Sequence, residues 1–160
     1  MGSVTVGNGV SVGPAGGNTN LVGYGISVDD GQLGFVTNGV SAAAGVNVGT
    51  TNDIVVTNGQ IGHREAGNMS GNINLIAADD LNLTNSLLGH DDGQNVAGDI
   101  TARLYGDIDL VNSTIGHRID SGGTYLSGDT FVGVGQVPGI LNRDGQLRAD
   151  ANSSLFSAPA

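Results

Sequence analysis

Three segments of the chain repeat one another at a fixed spacing of 27 residues. They read VVTNGQIGH, NLTNSLLGH and DLVNSTIGH, and they end at His63, His90 and His117. Each segment contains an Asn, followed by an aliphatic residue and then by Gly-His at its end. A fixed period of this length is typical of stacked repeats, in which one unit cannot bury its apolar face alone and packs on its neighbours.

The apolar residues inside one repeat alternate with polar ones. In NINLIAADDLNLTNSLLG, Ile73 and Leu75 lie on one side of a first short strand. Leu81 and Leu83 lie on one side of a second, and Leu88 follows after the next turn. Alternation over two to five residues predicts short β-strands, and the AADD and TNS segments between them predict turns. No segment keeps a period of about 3.6 residues, so we expect very little helix.

The repeat is longer than its regular part. The tetrapeptide VTNG occurs at residues 36–39 and again at 56–59, which is a shorter interval than that between the histidines. We therefore interpret the unit as a coil of about 20 residues that carries an insert after the histidine, because inserts in stacked repeats collect at one position. The inserts are Arg64–Ser70, Asp91–Ala97 and Arg118–Ser127, and we expect them to be variable, solvent-facing loops.

Together these patterns predict an all-β fold. Strands of successive coils should pair in parallel at a spacing of about 4.8 Å and form a β-solenoid. We expect a right-handed parallel β-helix of about five to six coils. It should be a single domain over residues 1–160, with the clearest repeats over 45–117 and an irregular or terminal coil over 118–160.

Composition limits the partners of such a solenoid. The formal net charge is −10, from 15 Asp and Glu against five Arg and no Lys. This balance argues against nucleic acid or an anionic membrane surface as a partner. The absence of Cys excludes disulfides and thiolate metal sites. No apolar run approaches the roughly 18–20 residues of a membrane-spanning helix, so we expect no membrane insertion.

Two repeats resemble a known family. GNINLIAADDLNLTNSLLG and GDITARLYGDIDLVNSTIG are similar to the haemagglutinin-type repeat of filamentous-haemagglutinin-like exoproteins, which two-partner secretion exports. The second copy departs from the family pattern at Ala102 and Leu104, and the resemblance is good only over residues 45–117. In the first copy the matching residues are Gly71, Ile73, Leu75, Ala77, Asp80, Leu81, Leu83, Asn85, Leu88 and Gly89.

The resemblance implies a parallel β-helix that forms a long shaft at the bacterial cell surface, for adhesion, aggregation or toxin presentation. The family's secretion-recognition motifs are not found in this chain. Because β-helices support many unrelated functions, the resemblance specifies a fold more strongly than a function.

Two columns of polar side chains should arise from the repeat. Asn58, Asn85 and Asn112 recur at a corner. There, stacked amides can bond one another and the turn backbone, so we predict a structural ladder. The histidines form the second column. We expect them to end the strand and cover the coil below, with adventitious transition-metal binding as the alternative, because a linear row is poor geometry for tetrahedral zinc.

Acidic residues in the inserts provide a second metal hypothesis. We expect no cofactor, with calcium as the alternative, for which Asp91 and Asp92, together with Asp120 on the next insert, are the best cluster. Their spacing matches no defined calcium loop, and the recurring Asp residues are also typical of turns.

Contacts with a partner, if there are any, are expected on the inserts. The candidate contact residues are Arg64, Glu65, Arg118 and Tyr125.

We predict a non-enzymatic structural shaft segment of an extracellular bacterial adhesin or surface fibre, and no catalytic residue. Its partners should be neighbouring coils of the same or a longer chain, and host or cell-surface glycans. One alternative is the subunit of a homopolymeric filament built by end-to-end stacking, since a solenoid has open strand edges at both ends.

The other alternative is a polysaccharide lyase or hydrolase. Hydrolysis needs paired carboxylates, but here the acids recur like turn residues and the chain has only three Tyr and three Phe to stack on sugars.

Overall fold

The protein is all-β along the part of the chain that the structure describes. The computed structural model describes residues 2–13, 17–36, 41–64, 67–77, 79–119, 125–126, 128–134 and 146–155. These ranges contain short strands and no helix, as the alternating pattern predicted. Within them, no helix has the length and apolarity needed to cross a membrane.

The strands are numbered in chain order. The first coil contributes β1 (Val4–Val6) and β2 (Ser11–Val12). The second contributes β3 (Thr19–Gly23), β4 (Ile26–Asp29) and β5 (Gln32–Leu33). The third contributes β6 (Val46–Thr50), β7 (Ile54–Thr57), β8 (Gln60–Ile61) and β9 (Asn68–Met69). The fourth contributes β10 (Ile73–Ala77), β11 (Leu81–Thr84), β12 (Leu87–Leu88) and β13 (Asn95–Val96). The fifth contributes β14 (Ile100–Leu104), β15 (Ile108–Val111), β16 (Thr114–Ile115) and β17 (Tyr125–Leu126), and the last β18 (Thr130–Val134), β19 (Leu147–Ala149) and β20 (Ser154–Leu155).

All strand pairs are parallel and join one coil to the next. Sheet 1 has the order β3-β6-β10-β14-β18, sheet 2 the order β1-β4-β7-β11-β15-β19, and sheet 3 the order β2-β5-β8-β12-β16-β20. A small fourth sheet, the arm sheet, has the order β9-β13-β17. The predicted β-solenoid is therefore confirmed, with about four complete turns and a flanking coil at each end. Its right-handed sense stays a prediction.

Aliphatic columns fill the interior, and each sheet contributes at least one inward row. The register is the one that the alignment of the repeats predicts, and one row of three side chains from each sheet illustrates it. None of the nine side chains has measurable exposure, so the stack buries a continuous apolar core. They are Val46, Ile73 and Ile100 in sheet 1, Ile54, Leu81 and Ile108 in sheet 2, and Ile61, Leu88 and Ile115 in sheet 3.

The inserts are not simple loops, which corrects the sequence interpretation. We call them the arms. They stack on one another through the arm sheet, and Met69 and Val96 are buried in a second small core with Ala42. An extended segment that pairs with its copy one coil away satisfies its backbone groups, which a free loop must leave to water.

The spacing between the two VTNG tetrapeptides was also misread. Val56 pairs with Val28, whereas Val36 forms an isolated bridge with Arg64 at the start of the next arm. Val36 and Val56 therefore occupy different positions of the coil. A shorter coil nevertheless exists, because the step from Val4 to its partner Ile26 is shorter than the step from Ile54 to Leu81.

Candidate functional site

The corner asparagines lie directly above one another. Asn85 Nδ2 donates to Asn58 Oδ1 over 3.1 Å, and Asn112 Nδ2 donates to Asn85 Oδ1 over 2.9 Å. All three have left-handed backbones, with φ of 48° to 49°. Asn tolerates this conformation better than most residues, so each side chain serves both the turn and the ladder.

The same turn continues one coil earlier at Asp30, which sequence reasoning missed. Asp30 has φ of 50°, and the register of the flanking strands places it opposite Asn58. The shared pattern Asp30-Gly31-Gln32 and Asn58-Gly59-Gln60 is the signal that could have revealed it.

The histidines form a closed stack at the base of the arms. Ring centroids of His63 and His90 are 4.8 Å apart, as are those of His90 and His117, and the planes differ by 2° and 10°. All three side chains are buried. Identical rings at the coil spacing stack face on face, as the fixed period requires.

His90 and His117 each join the two ends of the arm in the preceding coil. His90 Nδ1 accepts from the backbone N–H of His63, where that arm begins, and His90 Nε2 donates to the carbonyl of Gly71, where it ends. The corresponding distances are 2.9 Å and 2.9 Å. His63 and His117 make the equivalent pairs of bonds, to Phe35 and Ala44 and to His90 and Gly98.

These bonds define the chemical state of the rings. A ring that accepts at Nδ1 and donates at Nε2 is neutral, with its proton on Nε2. Burial lowers the pKa of His63 and of His117, and it lowers the pKa of His90 to about 3, with the neighbouring His117 acting in the same direction. A metal ion would have to displace one of the two bonds at each ring, so the structural interpretation of this column is the simpler one.

The acidic candidates in the arms divide between two environments. Asp91 lies 3.3 Å from the guanidinium Nε of Arg118 and pairs through its backbone with Arg64. Burial raises the pKa of the Asp91 carboxyl, and the Arg118 charge opposes that shift. Asp92 follows with a left-handed φ of 61°, as a turn residue does.

Three other predicted residues of the arms, Asp120, Glu65 and Tyr125, lie wholly or partly outside the described part of the chain. Asp120 and Glu65 lie outside the described residues, so nothing places Asp120 beside Asp91 and Asp92. The backbone of Tyr125 lies in β17, paired with Asn95 of β13, but its side chain also falls outside the description.

A different acidic group comes together at the corner between sheets 1 and 2. Carboxylate oxygens of Asp53, Asp79 and Asp80 lie within 4.8 Å of one another. Two of these acids already accept backbone hydrogen bonds from the next coil, Asp53 from the N–H of Asp80 over 3.1 Å and Asp80 from that of Asp107 over 2.7 Å. This supports a turn-capping role for the recurring Asp residues.

Two other asparagine ladders were missed in the sequence, although most of their members lie within the clearest repeats. Asn47 and Asn74 each donate to the asparagine one coil before, beginning at Asn20, on the outer face of sheet 1. Asn95 donates in the same way to Asn68 in the arm sheet. The signal was the recurrence of Asn at a spacing of 27 residues, which holds for each of these pairs.

A long polar groove runs along the solenoid between the corner ladder and the arms. Its volume is about 620 Å³. One wall is the ladder that ends at Asn112, the opposite wall carries Arg64, Asp91 and Arg118, and the floor is sheet 3. Gln60 in the floor donates from Nε2 to the carbonyls of His63 and Gly89, which fixes its side chain.

No protein-family model matches the chain, and neither the search of curated proteins nor the search of solved structures returned a significant match.

Proposed function

We propose that the chain is a non-enzymatic shaft segment of an extracellular bacterial adhesin or surface fibre, of the filamentous-haemagglutinin-like kind that its repeats resemble. In this role the chain carries load and sets distance, and it does so without a reaction or a cofactor.

One observation carries the proposal: the recurring polar residues bond to the coils before and after them. Asn85 bonds Asn58 and Asn112, His90 bonds the coil below it, and Asp80 accepts from the coil above. Groups that are already engaged in stacking are poor candidates for catalysis, which needs a reactive atom directed at a substrate. They are well suited to joining coils, because each ladder resists sliding and separation along the axis.

The surface charge agrees with this role. A net charge of −10 on 160 residues keeps neighbouring rods apart in solution. Six parallel strands in sheet 2 give a stack of roughly 25 Å at the usual strand spacing. Longer shafts would follow from adding further coils of the same kind.

The test measures distance at a cell surface. One copy or two in-register copies of the chain would be placed between an outer-membrane anchor and a fluorescent tag, and the tag height would be measured by energy transfer to a membrane dye. A shaft raises the tag by roughly 25 Å per added copy, whereas a flexible linker of equal length, used as the control, gives a smaller and broader increase.

Two results would contradict the shaft. One is release of reducing ends or unsaturated products from a panel of polysaccharides by the purified chain, which would favour the lyase or hydrolase. The other is growth of regular filaments from the purified chain in electron micrographs, which would favour the end-to-end assembling subunit.

A further inference from the structure

We propose that the polar groove beside the corner ladder is a binding site for a neutral, linear polysaccharide that lies parallel to the solenoid axis. This goes beyond the shaft role, because a groove of this kind would bind its ligand whether or not the chain sets distance at a cell surface.

The asparagine ladder, which forms one wall of the groove, keeps hydrogen-bonding groups that the contacts between the asparagines do not use. A side-chain amide has two N–H donors and an oxygen with two lone pairs. Asn85 uses one donor on Asn58 and one lone pair for Asn112. One donor and one acceptor site therefore remain at this residue of the groove wall. A sugar hydroxyl, which both donates and accepts, satisfies such a pair.

The spacing of these groups is set by the fold. Successive coils lie 4.8 Å apart at the neighbouring histidine column. A pyranose ring with its glycosidic oxygen has nearly this length, so successive sugars of a linear chain meet successive coils. An extended peptide rises about 3.3 Å per residue and would lose register with the amides within a few residues.

The charge in the groove selects a neutral ligand. Among the described residues that line it, Asp30 and Asp91 balance Arg64 and Arg118. The protein around the groove carries a net charge of −10. A polyanion such as heparin or polygalacturonate is repelled by that field and meets no excess of positive charge in the groove.

The floor is already ordered before any ligand arrives. Gln32 donates from Nε2 to the carbonyl of Gly62, and Gln60 bonds two carbonyls as described above. A fixed floor reduces the entropy lost when a ligand binds. The groove volume of about 620 Å³ lies within the usual range of ligand sites, roughly 300–1,000 Å³.

The experiment uses the whole chain and blocks the groove from its floor. Binding of cello-, chito- and manno-oligosaccharides of increasing length would be measured by calorimetry, with heparin, polygalacturonate and an extended peptide as competitors. Thr114→Tyr fills the groove at a strand position whose neighbour one coil earlier is the larger Leu87. Asn82→Tyr places the same ring on the outer face of sheet 2, away from the groove, and is the matched control.

We expect at least one neutral oligosaccharide to bind, more tightly with length, and Thr114→Tyr to weaken it by about tenfold or more while Asn82→Tyr does not. Ser11→Tyr, at an exposed position further along the groove, repeats the test if Thr114→Tyr melts early. The proposal is overturned if no neutral glycan binds, if the polyanions or the peptide bind better, or if folded groove variants bind like the parent chain. Cleavage of a bound glycan would contradict the shaft and leave the groove site standing.

Discussion

The ring of His90 holds together the two ends of an arm that belongs to another coil. Its Nδ1 accepts from the N–H of His63, just before that arm, and its Nε2 donates to the carbonyl of Gly71, just after it. His63 is buried and Gly71 is half-buried, and an unpaired N–H or carbonyl at such positions is costly. One side chain thus closes an arm that it does not itself belong to, which links consecutive coils in a fixed order.

Replacing His90 should therefore destabilise the fold strongly. His90→Ala leaves the His63 N–H and the Gly71 carbonyl without partners and opens a gap in the stack, so we expect a loss of about 3–5 kcal/mol in the free energy of unfolding. Urea denaturation followed by circular dichroism measures this loss. Arg118→Ala is the control, because its exposed ion pair with Asp91 should contribute less than about 1 kcal/mol. Equal effects of the two substitutions would show that the histidine does not act as a clamp.

The histidine stack also predicts an acid-sensitive fold. The pKa of each ring is lowered by burial, that of His90 to about 3, from an ordinary value of 6.5. As pH falls below about 6.5, the unfolded chain takes up protons that the folded chain does not, so stability is lost progressively toward the folded-state pKa. Each histidine contributes up to about 1.4 kcal/mol per pH unit within that window.

The measurement is the free energy of unfolding between pH 8 and pH 5. We expect a plateau above about pH 7 and a decline below about pH 6. His63→Gln lacks one titrating ring, so its decline should be shallower, while its stability at pH 8 is lower than that of the parent. The arrangement of the stack would be wrong if stability were unchanged between pH 7 and pH 5.

Sequence reasoning could predict the coils because their spacing leaves little choice. Repetition of Ile54, Leu81 and Ile108 at one fixed interval demands stacking, and alternation within each copy demands strands. The arms were harder to predict, because NM at Asn68–Met69 and NV at Asn95–Val96 are strands of only two residues. Such segments pair because the regular coil beside them already holds their ends at the parallel-strand spacing.

The groove, and the bonds by which His90 joins the two ends of an arm, could not be predicted from the sequence for a different reason. His90 and Gly71 are 19 residues apart, and the corner ladder faces Arg64 and Arg118 across sheet 3. Both relationships depend on the angle at which sheets 2 and 3 and the arms meet. A periodic sequence fixes which residues share a column but does not fix which column lies opposite another.

The left-handed turn at Asn85 allows backbone strain to be separated from the ladder. Asn85→Gly keeps a backbone that tolerates φ of 49° but loses both amide bonds, whereas Asn85→Ala loses the bonds and adds strain. We expect a loss of about 1 kcal/mol for Gly and about 2 kcal/mol for Ala. Thermal melts of the two variants measure the difference. If Ala were as stable as Gly, the turn at this corner would not have the left-handed conformation.

A glycine column predicts the sharpest contrast between two similar substitutions. Gly62 has φ of 144°, and a Cβ built on it would overlap the carbonyl oxygen of Gly89 in the next coil. A backbone atom cannot move away as a flexible side chain does, so Gly62→Ala must push the coils apart. We expect a loss of about 3 kcal/mol or more, or no folded protein.

Gly49→Ala is the matched control for that substitution. Gly49 lies in β6, and its nearest neighbour to an added Cβ is Val22 Cγ2 at 3.9 Å, an ordinary contact. Alanine there restricts the unfolded chain and loses nothing in the folded one, so we expect the variant to be as stable as the parent or slightly more stable. Soluble yield and melting temperature of the two variants, measured side by side, decide the point. If the two variants had the same soluble yield and melting temperature, the coils would not be in close contact at the Gly62 column. The close spacing of the coils at the neighbouring histidine stack would then not extend to these glycines.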